Sequence, residues 1–495
     1  MRRALLLATA ALLLLLAPAA AQAAKPDVVV VILDEFPTTS LLGKDRHIDA
    51  VRYPNFAALA RGSTWFRNAT TVSDTTFAAV PSILDGRLHR WKVGERARPP
   101  RRAIWDLLAK HGYSIHASTE APVCPRRYCG ARRSTRHYLI RRRAARFGAF
   151  VDSIRPGRHP GLWLKHTLQP HEPWLYLPSG HQYLRGPIPP IAGLNSERGA
   201  NERWLVRLAY QRHLLQVGAV DRELGMLVAR LKATGMYDRT LLVVTADHGI
   251  SFRLGERDRR TVTPANLQGE APVPLFVKRP RQRHGRVSPV YARTVDVLPT
   301  IAGLLKLRVP WRISGRSAFS RAVRRRHTVR MTSRSPLTPV VRMSTGAFQG
   351  RWSRAIHYKL STFGYGGHGP GLFGIGPRRS VVGHAATSLH ARRGRVHARF
   401  LAAGELRNVR ARSYFRPCLV SGRLRGGRPG ARRDLAVVVN GRVVATARSF
   451  HLAGGAESFA VLVPEMAFST GRNRVQLLSL ARRRGRLSSA LLGWV

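Results

Sequence analysis

The sequence predicts an α/β fold, a mostly parallel sheet sandwiched by helices, with a small all-β region at the C-terminus. Three observations carry this. Residues 28–33 form an unbroken apolar run of mostly β-branched residues, the pattern of a strand buried on both faces. Further apolar runs at 113–118, 162–168, 241–244 and 273–277 alternate with helical patterns at 55–60, 103–109, 203–232 and 295–305, as expected for helices layered on a parallel sheet. Beyond about residue 413 the pattern changes to short β-rich runs. There, 435–439 meets 442–445 across Asn440-Gly441, a strong hairpin signal.

The elements divide the chain. Residues 1–23 read as a signal peptide: Arg2 and Arg3, a Leu-rich run to Leu16, then Ala21-Gln22-Ala23. The apolar run is shorter than the ~20 residues of a membrane span, so cleavage near Ala23 is expected. Residues 24–315 hold the α/β pattern, with the 203–232 helix ended by Gly235. Residues 316–404, rich in Arg, Gly and Ser, read as an irregular linker or subdomain. Residues 405–495 read as a β-sandwich-like domain. No internal repeat is evident.

Composition limits the function. Hydrophobic residues make up 44% of the 495 and charged ones 22%, ordinary globular usage that excludes a wholly disordered or collagen-like chain. The charge balance is unusual: 84 Lys and Arg against 26 Asp and Glu give +58, and nine Lys leave 75 Arg. Such a chain is expected to bind polyanions unspecifically, and the alternative reading is a compositional drift towards Arg, since the Arg is spread along the whole chain. The basic residues are spread along the whole chain and no nucleic-acid module is evident, so a specific nucleic-acid partner is not expected. Cys124 and Cys129 share a Pro/Arg-rich loop and suit a small disulfide in an oxidising compartment, leaving Cys418 as a buried thiol.

Acids are scarce, so their positions are informative. Asp34 directly follows the first buried run, with Glu35 beside it, and Asp247-His248-Gly249 follows the run 241–244. The C-terminal ends of central parallel strands are where such folds place their sites. Two carboxylates and an imidazole converging there suit one divalent metal ion: manganese, zinc, magnesium or calcium. Each Asp taken singly reads more readily as a turn cap than as a ligand. Thr76 opens a helical stretch that runs to Asp85-Gly86. A hydroxyl there sits in the positive field of the helix start, and a metal beside it could make it a nucleophile. Taken alone, it reads as an N-cap.

Together these elements resemble the sulfatase/alkaline phosphatase superfamily. The likeness rests on a strand ending in Asp34, Thr76 followed ten residues later by Gly86, and Thr245-Ala246-Asp247-His248-Gly249. Connecting segments are similar too: Tyr53 to Ala60, Tyr210 through Gly235 to Leu241, Val273 to Lys278, and Asp296 to Ile301. The resemblance implies an alkaline-phosphatase-like fold, Asp34, Asp247 and His248 as metal ligands, and Thr76 as nucleophile and additional ligand. Glu35 occupies the place of the second acidic residue of sulfatases, and the sequence leaves its reach to the metal open. Formylglycine sulfatases carry Cys-x-Pro-x-Arg, where this chain has Thr76, Ala78 and Val80. Thr nucleophiles in the superfamily belong to phosphoryl chemistry, as in lipoteichoic-acid synthases and phosphoethanolamine transferases. The segment 162–174 resembles the His-x-Pro loop of the former branch, which implies that His171 contacts the substrate anion or protonates the leaving oxygen. His166 is a weaker candidate. Arg253, Arg257, Arg259 and Arg260 follow the Asp-His-Gly motif and could stabilise equatorial oxygens.

The expected function is an exported, metal-dependent hydrolase or transferase of phosphate esters, such as phosphodiesters or phosphoglycerol and phosphoethanolamine esters. Its expected partner is an anionic cell-envelope polymer or lipid head group, with peripheral contact with membrane or wall. Two other readings stand beside it: a sulfuric-ester hydrolase lacking formylglycine, and a catalytically degenerate polyanion-binding protein.

Overall fold

The structure, a computed structural model, describes residues 25–91, 94–96, 98–130, 142–184, 201–256, 258–367, 370–451 and 455–495. The signal-peptide expectation at 1–23 and the candidate Arg257 lie outside the described residues.

Strand β1 (Val28–Asp34) is buried at every position. It pairs in parallel with β4 (Gly161–Pro170) on one side and β5 (Leu241–Ala246) on the other. Beyond β4 lies β3 (Ser114–Thr119), also parallel. Beyond β5 the direction reverses: β6 (Leu275–Lys278) is antiparallel to β5 and to β2 (Thr64–Phe66), and β7 (Arg286–Ser288) runs parallel to β2. The sheet order is β3-β4-β1-β5-β6-β2-β7.

Strand periodicity then sorts the core. Val28, Val30 and Ile32 face one layer, built from α2 (Thr76–Asp85), α3 (Ile104–Lys110) and α6 (Val297–Leu304). Val29, Val31 and Leu33 face the other. That layer is built from α1 (Pro54–Gly62), α4 (Arg143–Ser153), the second half of α5 (Arg203–Ala233) and α7 (Thr345–Phe363). Burying each such aliphatic side chain contributes about 1.5–3 kcal/mol, so β1 is anchored from both sides. The fold is the expected helix-sandwiched, mostly parallel sheet.

The stretch 316–404 is not simply irregular. It forms a hairpin of β8 (Thr328–Thr332) and β9 (Val340–Ser344), followed by the 19 residues of α7. Val329, Met331, Phe348, Trp352 and Ile356 join the core beneath the sheet. Trp352 Nε1 donates to Thr39 Oγ1 at 2.7 Å. The hairpin also braces the loop before α2: Thr332 N–H donates to the Val72 carbonyl at 2.8 Å, and the Arg334 N–H to Asp74 Oδ1 at 3.0 Å.

The C-terminal region is antiparallel apart from one short parallel edge pair. One sheet orders Arg392–Arg393, Arg486–Trp494, Val475–Arg483, Asp434–Val439 and Arg442–Arg448; a second orders His397–Phe400, Leu419–Arg425 and Ser458–Leu462. At the expected hairpin, Asn440 and Gly441 have φ of 50° and 82°, the left-handed pair that the tight turn requires. Residues of both sheets pack with Trp204, Leu205 and Leu208 from the first half of α5. One helix thus serves both regions. Cys124 and Cys129 are disulfide-bonded, and Cys418 is a buried free thiol. No helix among the described residues is long and apolar enough to cross a membrane.

Candidate metal and active centre

The site assembles where β1, β4 and β5 end. Asp34 closes β1, and β1 and β5 stay in register as far as Leu33 opposite Ala246. This sets Asp247, the next residue, beside Asp34. One ligand atom from each of Asp34, Asp247 and His248 lies within 4.8 Å of the others, and all three residues are buried.

Hydrogen bonds decide which atoms face inward. Asp247 Oδ1 accepts the N–H of His248 at 2.6 Å and of Glu35 at 3.2 Å, while its Oδ2 has no hydrogen-bond partner. Asp34 Oδ1 has none either. His248 Nδ1 donates to the Gly249 carbonyl at 2.9 Å, which leaves Nε2 a free lone pair. Bare buried carboxylate oxygens are costly unless a cation meets them. Two such oxygens and an imidazole nitrogen make a donor set that fits one divalent ion.

The electrostatics agree. Burial and the charge of Asp34 push Asp247 up to about 7. Burial works to raise Asp34 as well, but His171, His166 and His248 outweigh it and hold the group below its ordinary value. Burial opposes charge on His248, yet Asp247, Asp34 and Glu35 raise it.

Thr75 is the N-cap of α2 and Thr76 its first helical residue. The Thr76 hydroxyl stands 3.4 Å from Asp34 Oδ2 and 3.4 Å from His248 Nε2. The structure therefore brings together Asp34, Thr76, Asp247 and His248.

Glu35 is drawn elsewhere. Its backbone is left-handed, with φ of 56°, an unfavourable conformation for a residue with a Cβ that is held here by its surroundings. Its carboxylate accepts from Arg260 Nε, and Arg259 Nη2 lies 3.8 Å away. Arg259 and Arg260 each also reach Glu172 at 3.0 Å. Burial raises Glu35, but Arg260, His171 and Arg259 overcome it and keep the carboxylate well below its ordinary range.

His171 joins this second group: its Nε2 is 3.4 Å from Glu35 Oε1. Its loop is held by Arg143, which donates to the carbonyls of His171 at 2.6 Å and Glu172 at 3.0 Å, and by Gln216 of α5, which donates to the His171 carbonyl at 3.0 Å. His166 lies nearer the metal-facing cluster than its weaker rank implied. Its Nδ1 accepts from Ala121 N–H at 3.4 Å, so Nε2 carries the proton and sits 3.7 Å from Asp34 Oδ2. Strand alternation does not turn it away: His166 pairs in register with Ile32, whose face is the one α2 covers. Glu172 and Arg143 were missed by sequence reasoning. Glu172, beside His171 in the same loop, carried the only signal.

Comparison with known proteins fits this arrangement. The sequence model of the family described as Sulfatase matches residues 26–307 of the 495. Arylsulfatase K of Xenopus laevis is 31% identical over 97 residues, covering 20% of this chain and 18% of that protein. The multifunctional alkaline phosphatase superfamily protein PehA of Trinickia caryophylli is 35% identical over 100 residues, covering 20% and 19%. The chain thus spans less than half the length of the curated relatives it matches, 41% at the most. A solved structure in complex with its substrate D-glucosamine-2-N,6-O-disulfate shares the fold at TM-score 0.50 and 15% identity, covering 65% of this chain and 87% of that one. With more than half of its length matched by the family model, the chain belongs to the Sulfatase family, within the sulfatase/alkaline phosphatase superfamily of hydrolases.

Proposed function

We propose that this chain is an exported hydrolase or transferase of phosphate esters that uses Thr76 as its nucleophile. The observation that supports this most is the position of the Thr76 hydroxyl, 3.4 Å from both Asp34 and His248 at the start of α2. No cysteine stands there to become formylglycine. When bound by Asp34, Asp247 and His248, a divalent ion supplies Lewis-acid stabilisation of the ester oxygens and lowers the pKa of a nearby hydroxyl.

The chain's own residues do the rest. Thr76 Oγ1 gives up its proton to water and forms a bond to phosphorus in line with the ester oxygen, whose bond to phosphorus breaks. The leaving oxygen takes up a proton, for which His171 is the donor in this proposal. Arg260, fixed on Glu35 and Glu172, adds positive charge next to the equatorial oxygens. Water, or an acceptor hydroxyl, then attacks the phospho-threonine and releases Thr76. The +58 charge favours an anionic polymer or head group as the ester's carrier. A second reading, sulfate-ester hydrolysis without formylglycine, is favoured by the likeness to arylsulfatase K and uses the same residues.

A panel of nitrophenyl phosphate, bis-nitrophenyl phosphate and nitrophenyl sulfate tests both. It is run with manganese, zinc, magnesium and calcium, beside Thr76→Ala. Metal-dependent diester cleavage lost in Thr76→Ala is the expected result. Turnover of the sulfate alone would replace the phosphate reading with the sulfate one.

A further inference from the structure

A second feature lies beside the centre. A cavity of about 710 Å³ opens between the start of α5, α7 and the loops after β1 and β5. Pro37 and Ile250 line it. Pro37 is three residues beyond Asp34 and Ile250 two beyond His248, which bounds the separations at about 11 Å and about 7 Å of backbone. The metal-facing cluster and the cavity therefore share the same two loops.

The cavity carries four guanidinium groups, those of Arg203, Arg253, Arg351 and Arg354, and no acidic side chain lines it. Arg203, Arg253 and Arg354 are exposed. Arg253 has only a distant partner, Glu256 at 3.9 Å, and no hydrogen bond or ion pair engages Arg203 or Arg354 among the described residues. The walls are aromatic. Phe252 stacks on Tyr210 with centroids 4.2 Å apart, and Tyr358 is 40% exposed.

With only Glu256 near Arg253 and the Pro264 carbonyl accepting from Arg351, the four guanidinium groups leave an excess of positive charge at the cavity that attracts anions. A single phosphate satisfies one or two guanidinium forks. Four of them lining one cavity suit several anionic groups spaced along one molecule. The aromatic walls suit the apolar faces of the units between them, and a cavity of this size holds a ligand of a few such units. A lipid head group supplies one anionic group and leaves the other guanidinium groups unmet.

We infer that this cavity is a second binding site, which holds neighbouring units of an anionic polymer while one of its esters occupies the metal-facing centre. This rests on the reading of that centre as an ester-cleaving site for an anionic carrier.

The test measures binding and turnover separately, on the full chain at physiological salt. The probes are a labelled sulfated dextran oligosaccharide and an oligo(glycerol phosphate). The double variant Arg203→Ala/Arg354→Ala is expected to lose about 10-fold in affinity for at least one probe. A control pair elsewhere on the surface, Arg472→Ala/Arg482→Ala, is expected to change it by less than about two-fold. Turnover of a nitrophenyl ester should be unchanged in both. Equal losses in the two pairs would assign binding to diffuse charge and overturn the inference, as would no loss in either. An effect of the first pair on anionic vesicles but on neither oligomer would also overturn it. Selective loss of oligomer binding without turnover of any ester would uphold the cavity and refute the ester-cleaving reading.

Discussion

Asp34 and Glu35 are adjacent, acidic and fully buried, and the fold gives them opposite surroundings. Around Asp34, the inward oxygens of two carboxylates have no donor and the nearest neighbours are an imidazole lone pair and a hydroxyl. Around Glu35, two arginines and a second glutamate form an ion-pair network: Arg260 meets Oε1, and Oε2, without a hydrogen bond, has Arg259 at 3.8 Å. The left-handed turn at Glu35 separates the two side chains. One region presents buried carboxylate oxygens and an imidazole nitrogen that suit a divalent cation. The other pairs its acids with Arg259 and Arg260 and ties Glu172, next to His171, to them. Acidity at a strand end therefore identifies a metal ligand only when no fixed cation reaches it first.

This contrast can be broken at several points. The largest effect is expected on the metal-facing side. Asp247→Asn or His248→Ala should lower kcat/KM for the best nitrophenyl ester by more than about 10³-fold, the several kcal/mol that a metal supplies, with the fold intact by circular dichroism. Next is the arginine-paired side. Arg260→Met leaves Glu35 buried with its nearest partner gone, which should cost about 3–5 kcal/mol in denaturant unfolding. It should also lower activity about 10–100-fold by loosening the His171 loop. Metal stoichiometry should not change.

The smallest effect sharpens the comparison further out, at Glu223 on α5. Its carboxylate accepts from Gln169 Nε2 at 2.8 Å, and burial with the nearby Glu120 charge pushes it up to about 7. A pKa raised on folding gives stability that is full below the unfolded value of 4.5 and is lost as pH rises through about 7. Glu223→Gln removes that dependence. Relative to the variant, the wild type should lose about 2–3 kcal/mol between pH 5 and pH 8, read from denaturant midpoints at each pH.

Much of the metal-facing region was legible. Unbroken apolar runs mark β1 and β5, and a buried strand followed directly by Asp is a pattern that a short sequence window contains. The arginine-paired region was not legible, because it depends on Arg259 and Arg260 folding back across more than two hundred residues to Glu35. No spacing encodes that contact. The hairpin and α7 were hidden for another reason. The buried stripe of α7 falls at Phe348, Trp352, Ile356, Lys359 and Phe363, a clear helical spacing. The surrounding Arg, Gly and Ser dilute its contrast, and Lys359 interrupts it with a charge-bearing residue that the fold buries against the Leu42 carbonyl.

The most direct test of the contrast is a metal titration by calorimetry of the wild type, Asp34→Asn and Glu35→Gln, using manganese or calcium. The account predicts one ion per chain for the wild type and for Glu35→Gln, with affinities within about 10-fold of each other, and loss of measurable binding in Asp34→Asn. Equal loss in both variants would make Glu35 a ligand and contradict the division between the two regions.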